Sequence, residues 1–592
     1  MKLEKLRNLM KEGGIDYYVI PTDDFHASEY VGAYFETRSW ISGFTGSAGT
    51  LLVGEDFAGL WTDGRYFLQA AEELEGTGIE LMKMGEKGVP TLIEYLKEHL
   101  TENSTLGFDG RCLSAGFVEE LKRVLGSTQI RIIYEKDLVG EIWEDRPELS
   151  KKPAWFLEDE NCGASFKEKL TVVREEMKKK DAKSLLLTSL DDIAWLFNMR
   201  GDDIAFNPVV LSFCLITEKE VRLFIQRGSL HAEQEINLVK EGVFLEDYLS
   251  VYDFVKTLSV ESIWLNDQKT SYALMENLPK EVKIIKGMTP VAYTKCVKNE
   301  KEQENMRLAH LKDGVAMTKF MYWLKNNAGK SEMTEISVAD RVRDFRKAQE
   351  GFIEESFTTI CGYGPHGAII HYHATEESDA KINLEGLLLV DSGGQYLEGT
   401  TDITRTFAMG PVTEEEKKHF TTVLKGNLRL GNVKFKEGCT GENLDMIARQ
   451  PIWEAGLDYN HGTGHGIGFV LNVHETPARI NWKGRPGYGE NDPFKPGMIV
   501  SNEPGFYAEG KYGIRLENLI LCQEAEKTEY GRFLNFETLT IVPFDLDAVD
   551  VTLLDGKEKQ LLNDYHSRVY EELSAYMTEE ELVWLKNATR AV

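Results

Sequence analysis

Five side chains in the C-terminal half of the sequence are of the types that hold divalent cations: Asp391, Asp402, His465, Glu503 and Glu517. Asp391 ends the apolar run Leu387-Leu388-Leu389-Val390, where Ser392-Gly393-Gly394 turns the chain. Asp402 follows in Thr-Thr-Asp-Ile-Thr-Arg-Thr, whose β-branched residues favour a strand, so two adjacent strands would present both acids to one spot. An aspartate after a strand is otherwise an ordinary turn residue. His461-Gly-Thr-Gly-His465-Gly-Ile-Gly sets two imidazoles among four glycines, a spacing that permits close backbone approach and bares the side chains. The plain alternative is a glycine-rich turn with incidental histidines. Val473-His474-Glu475 adds a third imidazole; Glu503 precedes a proline turn in Ser-Asn-Glu-Pro-Gly; Glu517 reads as lying inside an alternating strand, Ile-Arg-Leu-Glu-Asn-Leu-Ile-Leu-Cys.

Four carboxylates and one imidazole are too acidic a set for a structural zinc site and too imidazole-dependent for a calcium cage. Manganese, iron, cobalt or catalytic zinc suits it better. Crowded carboxylates raise one another's pKa, and two divalent ions would balance four acids. Paired metals generate a nucleophile at neutral pH and stabilise a tetrahedral intermediate, so the chemistry implied is hydrolysis of a carbonyl bond.

Three blocks of chain must position these residues. The first, to about residue 150, alternates helical and β-type stretches: Leu3 to Gly13, Tyr17 to Pro21, Gly49 to Val53. A Pro- and charge-rich segment containing Pro147 and Pro153 reads as a linker. The second block, 151–292, opens with KLTVVREEMKKKDAKSLLLTSLDD, which echoes KLEKLRNLMKEGGIDYYVIPTDD; Arg7 and Met10 align with Arg174 and Met177, and Asp23-Asp24 falls near Asp191-Asp192. Two related α/β domains in tandem are expected. The third, 293–592, starts with a helix bearing Met306, Ala309, Ala316, Phe320 and Leu324 on one face. Short strands and Gly-rich turns follow, then a capping box at Thr413 and Glu416. From about residue 545, terminal helices are expected, with a second capping pattern at Thr578 and Glu581.

Length and composition agree with a folded, multidomain protein: 592 residues exceed one core, with 42% hydrophobic and 28% charged residues. The N-terminus lacks a secretory apolar stretch and no run of about 18 apolar residues occurs, so neither export nor a membrane span is expected. Seven scattered cysteines without a C-x-x-C pair suit a reducing cytoplasm. A formal net charge of −29 opposes binding to nucleic acid or anionic membranes.

The pattern resembles the Xaa-Pro aminopeptidases, the aminopeptidase P branch of the "pita-bread" metallopeptidases. The stretches GPHGAIIHY, LLVDSGGQYLEGTTDITRT, HGTGHGIGFVLNVHETP, SNEPGFY and YGIRLENL stand in family order, and upstream WISGFTGSAGTLLV, LWTDGRYFLQA and FNMRGDDIAFNPVV resemble the first two domains of the long form. The implied fold is α/β (α+β), with two creatinase N-terminal-like domains before a pita-bread catalytic domain and C-terminal helices. The resemblance implies that Asp391 chelates one metal, Asp402 and Glu517 bridge both, and His465 and Glu503 hold the other, with Glu503 relaying a proton. His371, His461 and His474 would position the scissile carbonyl and steady the oxyanion, with Arg515 supporting the ligands. Thr476 departs from the glycine common in long-form members, and His366 has no assigned role.

The implied cofactors are two divalent ions, manganese foremost with zinc or cobalt as alternatives, in a cytoplasmic homodimer that acts on short peptides with proline second. An X-Pro bond is a tertiary amide without an N–H and with restricted φ, which a pocket can recognise. The rival readings are a prolidase that cuts dipeptides, creatinase or methionine aminopeptidase chemistry on the same fold, and a catalytically dead binding protein. Two long upstream domains speak against methionine aminopeptidase, and five filled ligand positions against a dead scaffold.

Overall fold

A computed structural model of the chain describes residues 2–483 and 492–592. The residues up to Leu157 together with Ala164–Val291 form one compact unit, and Glu158–Gly163 with Ala292–Val592 form the second.

The first unit contains two six-stranded sheets of identical strand order. In one, Tyr17–Pro21 is flanked by antiparallel Thr50–Gly54, then antiparallel Ala58–Thr62 and parallel Glu80–Lys83; on its other side lie parallel Thr105–Phe108 and Arg131–Ile133. In the other, Ser184–Leu187 takes the central place, with Ser212–Thr217, Val221–Ile225 and Val243–Asp247 on one side and Ser262–Leu265 and Lys283–Lys286 on the other, in the same senses. The aligned residues do equivalent work. Arg7 Nε donates to Gly54 O at 2.9 Å and Arg174 Nε to Thr217 O at 3.1 Å, each reaching from its helix to the end of the corresponding strand. Both helices also end alike, with Ile15 N on Met10 O and Ala182 N on Met177 O. Tandem duplication explains this better than two unrelated helix-strand units. The Pro-rich segment is not wholly irregular, because Trp155–Phe156 pairs antiparallel with Met199–Arg200.

In the second unit, helix Glu300–Asn327 is capped by Asn299 with Glu302, and Met306, Ala309, Ala316, Phe320 and Leu324 are all buried. It covers a three-stranded antiparallel sheet whose centre is Leu387–Ser392, between Ile360–Tyr363 and Ile403–Ala408. Leu388 and Val390 face Phe320, Leu324 and Phe407. Side chains alternate along a strand, so Asp391 shares the opposite face with Leu387 and Leu389. A six-stranded sheet runs in the order Lys434–Lys436, Gly531–Thr538, Asn518–Thr528, Ile499–Asn502, Gly464–Gly466, Glu475–Ile480, and Gly505–Ala508 pairs with Tyr512–Arg515 as a hairpin. Both expected capping boxes form: Thr413 and Glu416 open helix Glu414–Gly431, and Thr578 and Glu581 open Glu579–Ala588. Among the described residues no helix is long and apolar enough to cross a membrane.

Candidate metal centre

The strand Ile403–Ala408 organises the acidic residues. Its register opposes Thr404 to Asp391 and Ile403 to Ser392, which leaves Asp402 just before the strand and beside Asp391's end of the sheet. Glu517 corrects the expectation of an in-strand position. It lies in the break between Tyr512–Arg515 and Asn518–Thr528, where the chain leaves the hairpin for the six-stranded sheet. That joint is held by Thr404: Glu517 N donates to Thr404 O at 3.0 Å, and Thr404 Oγ1 donates to Glu517 Oε2 at 2.8 Å. Arg405, fully buried, points the other way and donates to Glu517 O at 2.6 Å, Asn518 Oδ1 at 2.8 Å and Tyr565 Oη at 3.0 Å.

His465 arrives on Gly464–Gly466, and the glycines that flank it are required by space. A Cβ at Gly464 would stand 2.0 Å from Ser501 O, and one at Gly466 2.3 Å from Glu475 O. The His465 backbone N–H donates to Ser501 Oγ at 2.9 Å, and that hydroxyl donates to Glu503 Oε1 at 3.1 Å. His465 Nδ1 lies 3.0 Å from Gly466 O, so it carries the proton in the neutral ring and leaves Nε2 as a bare donor atom. Nε2 faces Asp402 Oδ2 at 3.4 Å and Glu503 Oε1 at 3.5 Å. The ligand atoms of Asp402, His465 and Glu517 lie within 4.8 Å of one another.

The donor set fits cations. Asp391 Oδ1, Asp402 Oδ1 and Glu517 Oε1 are buried without a hydrogen-bond partner, a costly state for carboxylates unless a positive charge meets them. Burial, followed by the neighbouring charges of Asp402, Glu503 and Asp391, pushes Glu517 well above the usual carboxylate range. Burial raises Asp391 and Glu503 as well, against the pull of Arg515 on both and of His465 on Glu503. For His465 burial acts downward, but Asp402 and Glu503 outweigh it and lift the imidazole to about 9. A cation would replace that proton, since metal binding displaces protons from its ligands.

Arg515, expected to support the ligands, reaches one of them directly. Its Nη2 pairs directly with Asp391 Oδ2 at 2.6 Å and its Nη1 donates to Tyr507 Oη at 2.7 Å. Tyr507 Oη lies 2.8 Å from His461 Nε2, and His461 Nδ1 lies 2.7 Å from Gly462 O. The proton therefore sits on Nδ1, and Tyr507 donates to Nε2. Sequence reasoning missed Tyr507 and Thr404; both stand in quoted motifs, but no spacing signal singles out a hydroxyl. His474 packs its ring edge-on against His465, centroids 4.3 Å apart. The segment carrying His371 meets the same cluster through Ile370 O, 3.4 Å from Arg515 Nη2. His366 faces Glu335 rather than the acids, and Thr476 is exposed on the strand Glu475–Ile480.

Comparison with known proteins identifies the domains of the chain. Residues 304–524 match metallopeptidase family M24, residues 532–592 the C-terminal region of that family, and residues 2–134 and 145–302 creatinase/prolidase N-terminal domains. The chain is 39% identical over 607 residues to a probable Xaa-Pro aminopeptidase P of Talaromyces marneffei, covering 100% of this chain and 92% of that protein. It is 37% identical over 606 residues to Xaa-Pro aminopeptidase 1 of Dictyostelium discoideum, covering 99% and 95%. The X-prolyl aminopeptidase of Caenorhabditis elegans, described as a cytosolic enzyme with a di-nuclear active site, matches with a TM-score of 0.94 at 33% identity, over 100% of this chain and 99% of that one. The chain thus belongs to metallopeptidase family M24, on its Xaa-Pro aminopeptidase branch, with two creatinase-type domains ahead of a pita-bread catalytic domain.

Proposed function

We propose that this protein is a dinuclear metallopeptidase that removes the N-terminal residue from peptides with proline in second place. The observation that carries the reading is the set of buried, unpartnered oxygens of Asp391, Asp402 and Glu517, the last two clustered with His465 within 4.8 Å. Asp391 would chelate one cation, His465 and Glu503 the other, and Asp402 and Glu517 would serve both. Two cations held there supply a nucleophile from water at neutral pH and positive charge for a tetrahedral intermediate. Glu503, its carboxyl raised by burial, would take up the proton of the attacking water and return it to the departing proline nitrogen. His461, fixed by Tyr507 and Gly462, joins His371 and His474 in orienting the scissile carbonyl. Arg515 holds Asp391 and Tyr507 in one register.

Within the same reading we assign manganese as the native metal, a homodimer as the working form and the cytoplasm as its place. We also set domain limits near residues 150 and 292, with a helical extension from about 545; the repeated strand order supports the first division. The decisive test pairs metal analysis with hydrolysis of Arg-Pro-Pro. Two metals per chain and release of arginine are expected. Cleavage of Xaa-Pro dipeptides alone would instead make it a prolidase, and a metal-free protein that still binds peptide would make it a binding protein.

A further inference from the structure

Between Ala368 and Leu387 the catalytic unit has neither helix nor strand, yet this stretch carries His371. An irregular segment that must hold an imidazole in place needs ties from elsewhere, because misplacement of about 1 Å can cost about 100-fold in rate. The ties converge on one carboxylate. Glu335, fully buried at the start of helix Glu335–Lys347, accepts from Tyr363 N at 2.7 Å, His366 Nδ1 at 2.9 Å, Tyr372 Oη at 2.8 Å and Ala380 N at 3.0 Å. Two of these donors precede His371 and two follow it. Four donors fill the lone-pair sites of an ionised carboxylate, and such bonds are about twice as strong as neutral ones. The His366 ring also stacks on Tyr372, centroids 4.4 Å apart at 27°. Tyr372 is the immediate neighbour of His371, so the orientation of one constrains the backbone of the other.

We propose that Glu335 is the positioning residue for His371, acting through His366 and Tyr372, and that this is the role of His366. The inference rests on the peptidase reading of the site. It goes beyond that reading in giving a residue outside the ligand set control over the chemical step. Glu335 touches neither substrate nor ligand, so its effect must pass through the segment it ties.

The test is a double-mutant cycle in the metal-loaded, full-length protein, with Glu335→Gln and His371→Ala made singly and together and Arg-Pro-Pro as substrate. Glu335→Gln keeps the shape but points an amide N–H₂ at groups that are themselves donors. A fall in kcat of about 10- to 100-fold is expected from the loss of positioning, with KM changed less than about twofold and two metals still bound. In the His371→Ala background the same change should cost almost nothing. An equal fall in both backgrounds, or an unchanged kcat in the single variant, would overturn the proposal while leaving the peptidase reading standing. A wild-type protein inactive on Arg-Pro-Pro would remove both. Should Glu335→Gln fail to fold, Tyr372→Phe, which deletes one donor and leaves the carboxylate, goes through the same cycle, and additivity there is equally fatal.

Discussion

At the scale of residues, hydrogen bonds decide what each group offers. His465 spends Nδ1 on Gly466 O and so presents Nε2 to Asp402 and Glu503, whereas His461 spends both ring nitrogens on protein partners. Under the proposed reading the first is a ligand and the second a fixed positioning group. Asp402→Asn or Glu517→Gln removes a charge shared by both cations, so turnover should vanish and bound metal should drop below two per chain, while circular dichroism stays that of the wild type. Activity near normal in either variant would refute the ligand assignment. His474, edge-on to His465, should act mainly in the transition state. His474→Ala is expected to lower kcat by about 100-fold with little change in KM; a pure KM effect in steady-state kinetics would deny it that role.

Among elements, the centre depends on contacts that join strands far apart in sequence. Thr404 and Arg405, adjacent on one strand, hold Glu517 by its side chain and its carbonyl respectively. A second device sits beside His474. Lys298, just before helix Glu300–Asn327, pairs with Glu475 at the start of Glu475–Ile480, with side-chain exposures of only 1% and 2%. A buried pair adds little over apolar substitutes, but breaking it by removing one partner leaves an uncompensated charge. Lys298→Met should therefore destabilise the catalytic unit by about 3–5 kcal/mol in urea unfolding. Lys298→Met combined with Glu475→Leu should recover most of that loss. No recovery would mean that the pair is not the source of the effect.

For the whole molecule, pH stability has an identifiable contributor in the helix Gly556–Leu573. His566 is held down to about 3, first by burial and then by the positive charges of Arg405 and Arg590, and its Nε2 accepts from Phe544 N at 3.1 Å, which requires a neutral ring. The unfolded imidazole titrates near about 6.5. Its contribution is thus fully present above that pH and is lost as pH falls from there toward the folded value, because only the unfolded chain takes up the proton. The slope is about 1.4 kcal/mol per pH unit. His566→Gln should flatten the acid limb of urea midpoints between pH 7 and pH 5; an equally steep limb in the variant would exclude this origin. The net charge of −29 acts at the same scale, and it weighs against phosphate-backbone partners.

Local signals were legible in the residues themselves. Capping boxes need only two side chains and the backbone N–H groups three residues apart, and the glycines around His465 mark a close approach that the structure shows against Ser501 and Glu475. The matched Arg7 and Arg174 pointed to two related domains, because a helix-to-strand tie repeats with its sequence, and the structure gives both domains one strand order. What tertiary structure alone decided lies across long separations. The Arg515–Asp391 pair spans 124 residues, Glu517 sits at a joint rather than within a strand, and Tyr507, Thr404 and Glu335 gain their parts only from what folds against them. Residue type and spacing specify which chemistry a chain can do. Register and packing between distant strands determine which oxygen, nitrogen or proton is turned toward the site.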